Sequence, residues 1–246
     1  MQAEYLQPGP PRIAAMTSTS RRHRHARSAA LLALLAAAGP ALARGPVAYA
    51  LDPVHTRVMF AVEHAGFSHA IGTISGSTGT LVFDPDDWTT ARLDVTVPLA
   101  RADLGDARWN QAVLAGNLLD TARFPEARFV SSRVEPSAPD RATVCGTLSL
   151  HGVDRDLCMD VRLNALKRHP LPPFRRTAGF SATASLQRSA FGITAWKSVI
   201  GDTVELRIEA EATRTGKADD SEEAADAADA PATPREPTLH DPQEHP

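Results

Sequence analysis

Three histidines, His55, His64 and His69, crowd the start of the patterned region, and imidazole is a common ligand for zinc and related metals. Their separations of nine and five residues work against a shared site. Side chains alternate along a strand, so on one continuous strand His64 faces away from His55 and His69. Histidines hydrogen-bonded at strand ends are the simpler reading. Asp84, Asp86 and Asp87 in FDPDDW gather three carboxylates, but no glycine-spaced ladder of oxygen ligands follows. They read as a solvated turn. Asp103 and Asp106 have the types to act as acid and base, yet they precede a helical pattern and serve better as negative charges near its N-terminus. Ser189 follows Arg188 with no base nearby in the sequence. The chain has no HExxH, CxxC, GxSxG or GxxxxGK[ST] motif. The expectation is a non-enzyme with no catalytic residue, no metal and no cofactor.

The elements that would position these groups are strands. Residues 49–84 read as three in succession. Val58, Phe60 and Val62 alternate with Arg57 and Glu63, the period of a half-buried strand. The segment 68–84 then mixes Ile71, Ile74, Leu81 and Phe83 with Gly72, Gly76 and Gly79, a pattern of bends where a sheet curls toward closure. Residues 91–99 alternate Leu93, Val95 and Val97 with Arg92, Asp94 and Thr96. Within 103–121, Trp109, Val113, Leu114 and Leu118 keep helical spacing and predict a short helix closing one end of the sheet. Strands are predicted over 127–134, 143–150, 157–166, 178–187 and 204–212. Turns are expected at 136–140, His151-Gly152, 170–173 and Gly201-Asp202. Many short strands with little helix mean an all-β sandwich or barrel.

Residues 20–43 join a basic segment (Arg21, Arg22, Arg24, Arg27) to an apolar run and an Ala41-Leu42-Ala43 exit. This is the layout of a Sec-type signal peptide over 1–43, cleaved after Ala43, with Met16 an alternative start. The apolar run is too short to span a bilayer, so no stable membrane span is expected after cleavage. Residues 44–213 form one domain, and 214–246, rich in Ala, Pro, Asp and Glu, form an acidic tail expected to stay disordered. The chain's formal net charge is −3, with 26 basic and 29 acidic residues. Nothing there steers it to nucleic acid.

One hairpin can be registered residue by residue. A turn centred on His151-Gly152 places Val144 opposite Met159 and Cys145 opposite Cys158, both cysteines on the polar face. Directly opposed Cβ atoms lie about 4.5–5.5 Å apart, near what a disulfide needs. In an exported chain whose only cysteines are these two, a Cys145–Cys158 disulfide follows, with two free thiols as the alternative.

Over residues 49–213 the chain resembles the YceI-like periplasmic polyisoprenoid-binding family. The resemblance runs through Tyr49, Asp52, His55, Phe60 and His64, then Gly72, Gly79 and Phe83-Asp84. Leu119-Asp120, Phe124-Pro125 and Phe129 follow, then Gly146-Thr147-Leu148 with Gly152-Val153, Gly179-Phe180, Arg188, Phe191-Gly192 and Gly201-Asp202 with Val204. The resemblance implies a lipocalin-like antiparallel β-barrel of about eight strands with a hydrophobic tunnel for a polyisoprenoid such as a quinone or prenyl diphosphate. It implies no catalytic residue. Two departures, Arg101-Ala102-Asp103-Leu104 after the fourth strand and Ile74 with Ser77 in the Gly72 segment, reshape the expected cavity.

The residues expected to line that cavity are Phe60, Val62, Phe67, Ile74, Leu81, Phe83, Trp109, Leu114, Leu118, Phe124, Phe129, Phe180, Phe191 and Trp196. Taken one at a time, each is better explained as part of a packed core than as cavity lining. Burying a methylene is worth about 0.8 kcal/mol, so a dry tunnel holds an isoprenoid without specific polar contacts. The expected role is to bind, store or carry such a lipid in the periplasm. The alternatives are an envelope stress or interaction module with a packed, ligand-free barrel and, further off, an enzyme acting on a lipid. Whether the protein forms a homodimer is left open by the sequence.

Overall fold

The computed structural model describes residues 45–216, and the expected signal segment and nearly all of the acidic tail lie outside them. Eleven strands and one helix follow in order: β1 (Val47–Leu51), β2 (Arg57–His64), β3 (Ser68–Ser75), β4 (Thr78–Phe83), β5 (Arg92–Pro98), β6 (Ala102–Asp103), α1 (Ala107–Leu114), β7 (Glu126–Ala138), β8 (Arg141–Leu150), β9 (Val153–Arg168), β10 (Arg176–Gln187) and β11 (Ile200–Arg214). The first six are halves of three bent staves. β1 and β4 pair as β2 and β3 do, and β4 and β5 pair as β3 and β6 do. Each break is local: a turn at 53–55, a left-handed Gly76 (φ +81°) and a 3-10 turn at Leu99–Arg101. β11 pairs with β10 on one side and with both β1 and β2 on the other. The result is a closed, eight-stave antiparallel barrel in which sequence neighbours are spatial neighbours.

Alternation decides which way each stave faces. Val58, Phe60 and Val62 on β2 and Leu93, Val95 and Val97 on β5 all turn inward. They remain half-buried because they border open interior space rather than packed atoms. Glycine allows closure at two points. Phe60 stands opposite Gly72 and its ring covers that glycine, where a Cβ would strike it. A Cβ on Gly79 would strike the Asp94 carbonyl of β5. The expected helix forms as α1, capped by Asp106, whose carboxylate accepts from the amides of Arg108 and Trp109.

The structure corrects several boundaries. Residues 49–84 hold four strands rather than three, because Gly76 breaks the second long segment into β3 and β4. Pro136 lies within β7, and the turn tightens to Pro139-Asp140. Gly201-Asp202 is an irregularity inside β11 rather than a turn, since pairing with β2 shifts between Ile200 and Val204. The β8–β9 register is the expected one, with Val144 opposite Met159. Cys145 faces Cys158 on the outer side and the two form a disulfide, with Cα atoms 4.0 Å apart.

Candidate functional site

The staves enclose a cavity of about 460 Å³ that runs most of the barrel's length. At one end Phe83, Trp88 and Phe180 meet edge to face, with ring centroids 5.0 and 5.6 Å apart for Phe83–Trp88 and Phe83–Phe180. Phe83 is 1% exposed and Trp88 6%. This end is shut. At the other end the lining includes Trp109, Trp196 and Val199, which are 41%, 49% and 40% exposed. Lining side chains that also meet solvent mark the mouth. There Trp109 of α1 lies 5.3 Å from the His64 ring, and the Val199 carbonyl accepts from the Ala65 amide, tying the β10–β11 connection to the β2–β3 hairpin.

Ten of the expected lining residues do border the cavity: Phe60, Val62, Ile74, Leu81, Phe83, Trp109, Leu118, Phe129, Phe180 and Trp196. Four do not. Phe67 sits at the tip of the β2–β3 hairpin, 92% exposed. Leu114 follows Val113 by one helical step, about 100° around α1, so Val113 faces the cavity while Leu114 packs against the core outside it. Phe124 lies tilted against His151, centroids 4.7 Å apart, and covers Gly152 at the β8–β9 turn. Phe191 is buried in the core behind the mouth, at the end of the 3-10 turn Arg188–Phe191.

Sequence reasoning missed two residues here. Trp88 was hidden in a segment read as a solvated turn. Asp84 in that segment is in fact buried, accepting from the Asp86 amide, and Asp87 caps the 3-10 turn that carries Trp88 inward. Arg188 is the second. It is 5% exposed and borders the cavity near the mouth. Its Nε donates to the Gly201 carbonyl, Nη1 to those of Ile193 and Ala195, and Nη2 to that of Ile200, all at 2.8–2.9 Å. One guanidinium thus fastens the whole β10–β11 connection. A lone arginine in the apolar run SLQRSAFGI was the available signal.

The groups considered for chemistry do not assemble into a reaction centre. Ser189 Oγ donates to Asp202 at 2.6 Å. That bond, the Ser189 amide and then the Arg188 charge hold the Asp202 carboxyl below the usual range. His55 Nδ1 lies 2.8 Å from Asp52, and His55 borders a separate recess of about 280 Å³ rather than the barrel cavity. The Asp52 hydrogen bond raises the His55 pKa. His64 is at the mouth while His69 is exposed on the outer face. Among the described residues no three His, Cys, Asp or Glu side chains converge as a metal set, and no helix is long and apolar enough to cross a membrane.

A closed up-and-down barrel around a largely apolar cavity defines the class as a lipocalin-like barrel fold. Residues 49–212 match the YceI-like domain family, and the chain belongs to that family. It is 33% identical over 172 residues to a UPF0312 protein of Pseudomonas savastanoi pv. phaseolicola, covering 68% of this chain and 87% of that one. A UPF0312 protein of Serratia proteamaculans is 30% identical, covering 74% and 93%. Among solved structures, BcnA of Burkholderia cenocepacia superposes with a TM-score of 0.59 at 24% identity, over 66% of this chain and 99% of that one. A polyisoprenoid binding domain from Saccharophagus degradans, implicated in plant cell wall breakdown, superposes at 0.55 with 14% identity, over 69% and 99%. At these identities the two structures speak to the fold alone.

Proposed function

We propose that this protein binds a polyisoprenoid or similar amphiphilic lipid, of the quinone or prenyl diphosphate type, and stores or carries it without chemical change. The observation that carries the proposal is the barrel cavity of about 460 Å³, lined mostly by aliphatic and aromatic side chains. Its size is that of small-molecule pockets, and its largely apolar lining gives an apolar chain extensive surface to pack against. Family membership and a fold-mate described as a polyisoprenoid binding domain support the reading. The solid interior required of a ligand-free module is not what the staves enclose. The setting in this reading is the periplasm, reached by the cleaved Sec-type signal at 1–43; the acidic tail expected from 214 starts later than that, since Arg214 ends β11 and the Thr215 amide donates to the Ala48 carbonyl.

The test is native mass spectrometry of the mature protein, purified from its own periplasm without detergent, followed by organic extraction. A stoichiometric isoprenoid is expected. Persistently empty protein that takes up no added quinone overturns the proposal.

A further inference from the structure

The cavity is apolar except at a few atoms, and two of these have no partner. Trp88 Nε1 and Ser77 Oγ are fully buried and make no hydrogen bond within the protein, although both side chains border the cavity. Ser77 is 0% exposed and follows the left-handed Gly76, where the β3–β4 stave bends. Trp88 belongs to the aromatic cluster at the shut end. Thr56, on the adjacent stave and 1% exposed, also borders the cavity, but its hydroxyl donates to the Glu211 carbonyl.

An indole N–H buried without an acceptor is costly, and folded chains keep few of them. Phenylalanine would fill the same space against Phe83 and Phe180 without that cost. The polar atoms therefore point to something that enters the cavity and accepts a hydrogen bond.

Charge narrows what that is. The buried ionisable residue next to the shut end is Asp84, beside Phe83, a carboxyl side chain that lies outside the cavity lining and offers no cation. Arg92 also borders the cavity there, but it is exposed and its Nη1 donates to the carbonyls of Thr89 and Ala91. The buried cation, Arg188, is at the opposite end. A phosphate placed beside Trp88 would meet no buried counter-charge among the described residues that line this end. A carbonyl or hydroxyl oxygen needs only the donor that is present.

Resting on the lipid-binding reading above, we infer that the shut half of the cavity is a polar subsite for an uncharged oxygen group of the ligand. Trp88 Nε1 donates to that oxygen, and the Ser77 hydroxyl supplies a second donor or acceptor. The ligand then enters ring first, as a quinone or phenol would, with its isoprenoid tail toward Trp109 and Trp196. A prenyl diphosphate would be held the other way round or not at all.

The experiment uses the full chain and three probes with matched tails: an isoprenoid quinone, the corresponding isoprenoid hydrocarbon and a prenyl diphosphate. Affinities are measured for wild type, Trp88→Phe and Ser77→Ala, with the indole N–H signals of the ¹⁵N-labelled wild-type protein followed during each titration. The quinone should move the Trp88 indole signal, and Trp88→Phe should weaken quinone binding about tenfold while leaving the hydrocarbon within about twofold. Ser77→Ala should shift the same ratio in the same direction. An unmoved Trp88 signal with quinone bound, or equal loss of quinone and hydrocarbon in both variants, overturns the subsite and leaves lipid binding standing. If no probe binds, both readings fall. The wild-type spectra need no variant to fold.

Discussion

Phe83 and Trp88 at the shut end of the barrel are 1% and 6% exposed, whereas Trp109 and Trp196 at the mouth are 41% and 49% exposed. Both groups border the same cavity. The aromatic rings of the shut end interlock at near right angles and exclude water, so their contribution is to stability. Those of the mouth have solvent on one face and cavity on the other, so removing them costs little folding energy and changes what can enter. The mouth draws its rigidity from a different source, the buried Arg188 and its four carbonyls. One end is held by dispersion and hydrophobic burial, the other by charge-assisted hydrogen bonds.

Five measurements would break or sharpen that contrast. The largest effect should come from Phe83→Ala, which opens a void beneath Trp88 and Phe180 and should cost about 4 kcal/mol in urea unfolding. Next is Arg188→Met. It keeps the apolar stem but leaves four carbonyls without their donor, and about 3 kcal/mol should be lost. If Arg188→Met unfolds like wild type, the mouth is not held by that guanidinium. Trp196→Ala should change unfolding by less than about 1 kcal/mol while altering the rate at which an apolar fluorescent probe enters the cavity. A loss as large as that of Phe83→Ala would erase the distinction between the two ends.

The smallest effect is a pH dependence at the mouth. Asp202 is held ionised by Ser189 first and Arg188 after it, so its folded pKa lies below the unfolded one. The stability it adds is present above the ordinary carboxylate range and is lost as the pH falls through its lowered pKa. Asp202→Asn should therefore flatten part of the acid limb of stability. At the outer recess the sign reverses. His55 has a raised pKa, so its pairing with Asp52 stabilises below the unfolded histidine pKa and is lost as the pH rises through the folded value. His55→Gln should remove that limb without touching the mouth.

Much of the wall was legible in the chain. Alternation on β2 and β5 named the inward residues correctly, because a period of two has only two faces and one must be apolar. The β8–β9 register and the disulfide followed from one turn, since a hairpin fixes every opposing pair once its centre is known. Less was legible where the chain leaves regular structure. Phe67, Phe124 and Phe191 have the composition of lining residues but lie at a hairpin tip, over a turn and behind a 3-10 turn, where no period tells inside from outside. Trp88 failed for the same reason in reverse, its neighbours Asp86 and Asp87 lending it the look of an exposed loop.

By itself the sequence determined that the chain is a succession of strands, the inward faces of β2 and β5, the β8–β9 register that sets the two cysteines opposite each other, and the family, because each rests on local periodicity or on residues in order. Only the tertiary structure decided which aromatic rings seal the barrel and which rim its mouth, that a buried arginine holds the mouth together, and that Trp88 and Ser77 meet the cavity unpaired. Those outcomes depend on where distant staves bring their ends in space, and closure of the sheet, unlike alternation along it, is not written in any short stretch of chain.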